Sequence, residues 1–139
     1  MLRIAVVDDE EAILDRLEEY LTQYARLHEV QFEIRKFHFP ELFLADYKPV
    51  YDMVLMDIDM PGMNGLEAAR RMRTLDENVI LLFVTNLAQY ALHGYEVDAT
   101  DFVVKPLSYS KFEYKMTRAI KHLPHKERPY LLLKTEQGT

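Results

Sequence analysis

A doubly wound α/β domain, built as (βα)5 around a parallel sheet, is the fold class this sequence predicts. Short apolar runs alternate along the chain with helical-period or turn-led segments, an order that favours parallel strands with helices on both faces and right-handed crossovers. The central runs are apolar almost throughout, as strands covered on both sides must be. Each of four runs also stops at a polar residue of the kind that lines the crevice beyond strand ends in such sheets: Asp8-Asp9, Asp57, Thr85 and Lys105.

The elements follow in order. Arg3 to Val7 is short, apolar and β-branched, which predicts the first strand. Ile13, Leu14, Leu17, Tyr20, Leu21 and Tyr24 then keep helical spacing, with Asp15, Glu18 and Glu19 off the stripe. Val30 to Phe37 alternates apolar with polar, as a half-exposed strand does, and Pro40 opens a short helix through Ala45. Asp52 to Met56 is the buried central strand. Pro61-Gly62 and Asn64-Gly65 are turn signals, followed by a helix from about Leu66 to Arg73. Val79 to Val84 is a further buried strand. A helix-like segment from Leu87 to Tyr95, the fourth in the series, precedes the strand Asp101 to Val104. A last helix places Tyr109, Phe112, Met116, Ala119, Ile120 and Leu123 on one face.

The 139 residues suit one domain with a short extension, and 49% apolar against 29% charged residues is globular rather than disordered composition. Charged residues interrupt every apolar stretch before the roughly 18 residues a membrane helix needs. The chain enters a strand-like run at once, which reads as no signal peptide, and there is no cysteine for a disulfide framework or thiolate metal site. A cytoplasmic location is the simplest expectation. The net charge is −6, but unevenly spread: residues 1–104 carry 20 acidic and 9 basic side chains, whereas 105–128 carry 2 and 7. An acidic domain of this kind repels nucleic acid on balance, and the basic stretch reads as a docking face or a solvated helix surface.

Three carboxylates, a hydroxyl and an ammonium at one sheet edge suggest phosphoryl chemistry. Uncompensated, the carboxylates would repel one another and raise their own pKa values. A hard divalent cation relieves that, and Mg2+ typically combines one or two carboxylates with waters and phosphate oxygens. Lys105 offers a point charge to a phosphate oxygen and Thr85 a hydroxyl donor. Phosphoryl transfer needs chiefly positioning and charge neutralisation, and an Asp can act as its nucleophile. Taken singly, each residue has a structural reading: Asp9 as a cap of the first helix, Thr85 and Lys105 as surface residues. No phosphate loop of the G-x-G-x-x-G or G-x-x-x-x-G-K-[ST] kind follows any strand, flavin binding would not call for acids at the phosphate end, and the five histidines are dispersed.

The acidic pair in Val6-Val7-Asp8-Asp9-Glu10, the run Met56-Asp57-Ile58-Asp59-Met60-Pro61-Gly62-Met63-Asn64-Gly65, Thr85, and Val104-Lys105-Pro106 resemble, in order and spacing, the receiver domains of two-component response regulators. The resemblance covers about residues 2–123 and implies a flavodoxin-like sheet of strand order 2-1-3-4-5. It implies Asp57 as phosphoacceptor and a Mg2+ site made by Asp8 (through water), Asp9, Asp57 and the backbone carbonyl of Asp59. Thr85 and Lys105 would bond phosphoryl oxygens, the Lys105-Pro106 bond would be cis, and Phe102 takes the aromatic switch position. A sensor histidine kinase would be the phosphoryl donor. The face formed by the fourth helix, fifth strand and last helix would change on phosphorylation, often favouring a homodimer. Such a domain is a signalling element rather than an enzyme, although it takes part in its own phosphoryl transfer and autodephosphorylation.

The stretch from Thr85 to Phe102 is similar to receivers that precede LytTR-type DNA-binding domains. Residues 124–129 then read as a linker and 130–139 as the opening strand of that second domain, with an edge strand or tail as the other reading. DNA would be contacted only through the second domain, and no membrane is implied. Two other functions compete: a phosphorylation-independent dimerisation or partner-binding platform on the same fold, and a magnesium-dependent phosphotransferase or phosphatase of haloacid-dehalogenase type. The latter draws on Asp59 two positions after the nucleophile but lacks a cap domain.

Overall fold

The computed structural model describes residues 1–86 and 96–123. Its elements, in chain order, are β1 (Leu2–Val7), α1 (Glu11–His28), β2 (Phe32–Phe37), α2 (Pro40–Ala45), β3 (Met53–Met56), α3 (Gly65–Leu75), β4 (Ile80–Thr85), β5 (Asp101–Val104) and α4 (Tyr109–Ile120). All five strands are parallel in one sheet, ordered β2-β1-β3-β4-β5. That is the predicted order. The predicted helix at Leu87 to Tyr95, the linker at 124–129 and the strand-like run at 130–139 lie outside the described residues.

Strand alternation sorts the core into two layers. Ile4, Val6, Leu55, Leu82 and Val84 face one side, where they meet Leu14, Leu17 and Leu21 of α1 and Phe112, Met116 and Ile120 of α4. Ala5, Val7, Val54, Met56, Leu81 and Phe83 face the other, where they meet Phe43 of α2 and Ala68, Ala69 and Met72 of α3. β3 and β4 are buried at every position, which is why neither shows polar alternation. β2, at the edge, starts at Phe32 rather than Val30 and has no fully buried residue. Leu123 remains buried but lies beyond the end of α4. Among the described residues no helix is long and apolar enough to cross a membrane.

Helix starts are fixed locally. Asn64 caps α3, its side chain accepting from the Glu67 amide at 3.0 Å, and Ser108 caps α4, accepting from Lys111 at 3.3 Å. α1 differs: Glu10 occupies its N-cap and makes no side-chain cap bond. The helix-cap reading of Asp9 is therefore corrected. The acids before α1 stand at the sheet edge, and the first turn forms from backbone bonds of Ile13 and Leu14 to the Glu10 carbonyl.

Candidate functional site

The parallel registers bring the carboxyl ends of β1, β3, β4 and β5 to one edge. Val7 pairs with Met56, Met56 with Phe83, and Thr85 with Val104, so the residues that follow β1, β3 and β5 share the rim with Thr85, the last residue of β4. The Asp57 amide donates to the Val7 carbonyl (3.0 Å) and the Lys105 amide to the Thr85 carbonyl (2.9 Å), which extends the ladder into the site. Gly65 permits α3 to begin against this edge. A Cβ there would lie 2.0 Å from the Asp57 carbonyl oxygen, which no side-chain adjustment relieves. Gly62, at φ +78, supplies the left-handed turn of the intervening loop.

At the centre, the Lys105 ammonium lies 3.1 Å from Asp8 Oδ2 and 3.4 Å from Asp57 Oδ2. Asp8 is 1% and Asp57 2% exposed, and Thr85 is fully buried. The remaining carboxylate oxygens are aimed by backbone: Asp8 Oδ1 accepts from the Glu10 amide (2.9 Å), Asp57 Oδ1 from the Ile58 amide (2.8 Å). Each acid therefore has one oxygen anchored and one turned to the shared ammonium.

Burial pushes the Asp8 carboxyl up to about 6; the Glu10 amide opposes, the Asp57 charge adds, and Lys105 opposes in turn. Burial also pushes Asp57 up, against Lys105, the Ile58 amide and the Thr85 hydroxyl. For Lys105 burial acts downward, but Asp8 and Asp57 more than offset it and hold the ammonium above the usual lysine range. One positive charge is thus divided between two buried carboxylates. A second cation would be well accommodated.

The residues fit a magnesium ion by donor chemistry. Carboxylate oxygens of Asp8, Asp9 and Glu10 lie within 4.8 Å of one another, beside the inward-facing Asp57, and the set is all oxygen, as a hard cation prefers. Glu10, third acid of the run, had no role assigned from sequence; its membership of the acidic run was the signal. Asp9 is half-buried, with Asp8 and Glu10 as its neighbours in that set. Asp59 is exposed two residues beyond Asp57 and forms no ion pair among the described residues. The Lys105-Pro106 bond is cis. Phe102, half-buried on β5, packs on Phe83 with ring centroids 5.3 Å apart.

Comparison with known proteins agrees with this geometry. Residues 4–117 match the response regulator receiver domain family. The sensory transduction protein LytT of Bacillus subtilis is 31% identical over 118 residues, covering 85% of this chain and 48% of LytT. Two solved structures share the fold across nearly all of their own chains. The non-phosphorylated HemR receiver domain of Leptospira biflexa has TM-score 0.77 and 27% identity, covering 90% of this chain and 99% of that one. The response regulator TrrA of Thermotoga maritima, in complex with Mg2+-BeF, has TM-score 0.70 and 30% identity, covering 86% of this chain and 99% of that one. The chain spans about half the length, or less, of the curated relatives it matches.

Proposed function

Because this chain belongs to the response regulator receiver domain family, with LytT proteins among its relatives, we propose that it is a phosphorylation switch whose acceptor is Asp57. The reading is carried by one observation: a single ammonium, Lys105, reaches both buried carboxylates, Asp8 and Asp57, at the same sheet edge. Asp8, Asp9, Asp57 and the Asp59 backbone carbonyl would hold Mg2+. When bound, that ion supplies charge neutralisation for phosphoryl and carboxylate oxygens.

The chain's own residues do the rest. A carboxylate oxygen of Asp57 attacks the phosphorus of the donor, a phosphohistidine of a sensor kinase. The O–P bond forms as the P–N bond breaks, and the departing imidazole takes a proton from solvent. Lys105 and the Thr85 hydroxyl bind phosphoryl oxygens, replacing the bonds they make to Asp57. Later attack by water at phosphorus returns the carboxylate and releases phosphate, so the domain signals rather than turning over a substrate.

With Thr85 drawn to the phosphoryl group, Phe102 repacks. The face made by β5 and α4 would then change its self-association as a homodimer. Relatives about twice this length leave room for a DNA-binding domain of LytTR type, with residues 124–129 as linker and 130–139 as its first strand. DNA would be contacted by that domain alone, in the cytoplasm.

Intact-mass measurement after treatment with acetyl phosphate and Mg2+ tests the acceptor. The chain gains about 80 Da, and Asp57→Asn does not. A folded chain that gains nothing leaves the fold as a phosphorylation-independent binding platform, and a gain retained in Asp57→Asn places the acceptor elsewhere.

A further inference from the structure

Lys105 opens the loop, residues 105–108, that joins β5 to α4. We propose that Tyr20 of α1 is a positioning residue for this loop, and through it for the Lys105 ammonium; the proposal rests on the phosphoacceptor reading above. The Tyr20 hydroxyl donates to the Leu107 carbonyl at 3.3 Å, across 87 residues of sequence. Its ring stands edge-on to Tyr109 (centroids 5.6 Å apart) and tilted against Phe112 (5.5 Å), so it is wedged against the first turn of α4.

Besides the Leu107 side chain, which is buried in the core between α1 and α4, few hydrogen bonds hold the loop among the described residues. Pro106 has no N–H to give. The Lys105 amide is tied to the Thr85 carbonyl, and Ser108 is committed to capping α4. Tyr20 bonds the residue between them, two positions from the ammonium that must reach both carboxylates.

α1 gives the contact its consequence. The helix starts directly after Glu10, whose amide aims Asp8. Tyr20 stands nine residues beyond Glu11, roughly 14 Å along a rigid helix at 1.5 Å per residue. One element therefore orients the acid end through its start and the lysine loop through Tyr20. A half-buried Tyr in an apolar stripe needs a partner for its hydroxyl. Here that partner is the backbone of the lysine loop.

A second tyrosine on the same helix provides the control. The Tyr24 hydroxyl bonds the Thr117 hydroxyl at 2.8 Å, also joining α1 to α4, but a full helix turn or more from the lysine loop. Loss of that bond loosens the same helix pair without touching Leu107.

The test measures the phosphorylation rate with acetyl phosphate, and the Mg2+ concentration giving half the maximal rate, in Tyr20→Phe and Tyr24→Phe. Each is made with Lys105 intact and with Lys105→Ala. Tyr20→Phe is expected to slow phosphorylation about fivefold, the worth of one modest hydrogen bond, with half-saturating Mg2+ unchanged. In the Lys105→Ala background it adds no further loss, because its effect passes through that lysine. Tyr24→Phe leaves the rate as it was. An unchanged rate in Tyr20→Phe overturns the proposal, as does an equal loss with Lys105→Ala or an equal loss in Tyr24→Phe. If the unsubstituted chain takes no phosphoryl group, the parent reading fails and this one with it.

Discussion

Two aspartates near the amino ends of the strands and two at the carboxyl ends are used in opposite ways. At the amino end of the strands, Asp52 Oδ2 accepts from the Arg3 amide at 2.8 Å. Nearby, Asp76 accepts from the Tyr47 hydroxyl at 2.7 Å and from the amides of Asn78 and Val79. These acids are spent on local neutral donors and hold turns in place. At the carboxyl end, Asp8 and Asp57 each give one oxygen to a backbone amide and turn the other to Lys105. They are nearly inaccessible and bear raised pKa values, a cost that structure alone does not require. The lesson concerns partners rather than residue type: an Asp satisfied by nearby backbone stabilises, whereas buried acids competing for one cation are held ready for another.

Removing the shared cation should separate the two ends most sharply. Lys105→Ala is expected to slow phosphorylation by acetyl phosphate by about a hundredfold, the scale of losing one donor to a developing oxyanion. Asp52→Asn, at the other end, should leave the rate within about twofold. A single rate assay on both variants decides the matter, and similar losses in the two would erase the distinction drawn here.

The next effect is on stability and pH. Because the Asp8 carboxyl is raised from 3.8 to about 6, the folded chain keeps a proton there that the unfolded chain releases earlier. Without metal, this group therefore costs stability as pH rises from about 4 to about 6, by at most ~3 kcal/mol, and the cost persists above that window. Mg2+ competes with the proton, so its stabilising effect should be large near pH 7 and small near pH 4.5. Thermal melts with and without Mg2+ read this directly. The comparison with Asp8→Asn isolates it from groups shifted the other way, such as Glu11, which its His38 partner holds low. A Mg2+ effect independent of pH, or unchanged in Asp8→Asn, would contradict the assignment.

How much of this was legible in the sequence follows from the same contrast. The strands could be read because Met53-Val54-Leu55-Met56 and Ile80 to Val84 are apolar on both faces, and a strand end followed by Asp is visible without coordinates. The gathering of Asp57, Thr85 and Lys105 followed from parallel order. What could not be read was the assignment of individual oxygens and layers. The sequence shows Asp8 and Asp9 as a pair, but just beyond β1 Asp8 is fully buried, its amide still bonding the Phe37 carbonyl, whereas Asp9 is half-buried. Tyr20 looked like one more member of an apolar stripe; its hydroxyl partner lies 87 positions away, where no periodicity reaches. Arg73 was read only as the last residue of a helix. In the fold its half-buried guanidinium donates to the carbonyls of Val79, Val97 and Asp98 and holds the turn before β5.

The smallest expected effect lies at the structural end, and it tests the comparison from that side. Tyr47→Phe removes the hydroxyl that donates to Asp76 but keeps the ring, which packs edge-on against Phe43 at 5.2 Å. Asp76 retains the Asn78 and Val79 amides, so no buried acid is stranded. The loss should be that of one hydrogen bond, about 1 kcal/mol, or roughly 4 °C in Tm for a domain of this size. The phosphorylation rate should not move, because among the described residues this hydroxyl bonds Asp76, at the opposite end of the sheet from Lys105. A urea melt and the acetyl phosphate assay on the same sample check both halves. A rate loss without a stability loss would mean that the acids at the two ends of the sheet are coupled, and that counting an aspartate's backbone partners does not tell a structural acid from a reactive one.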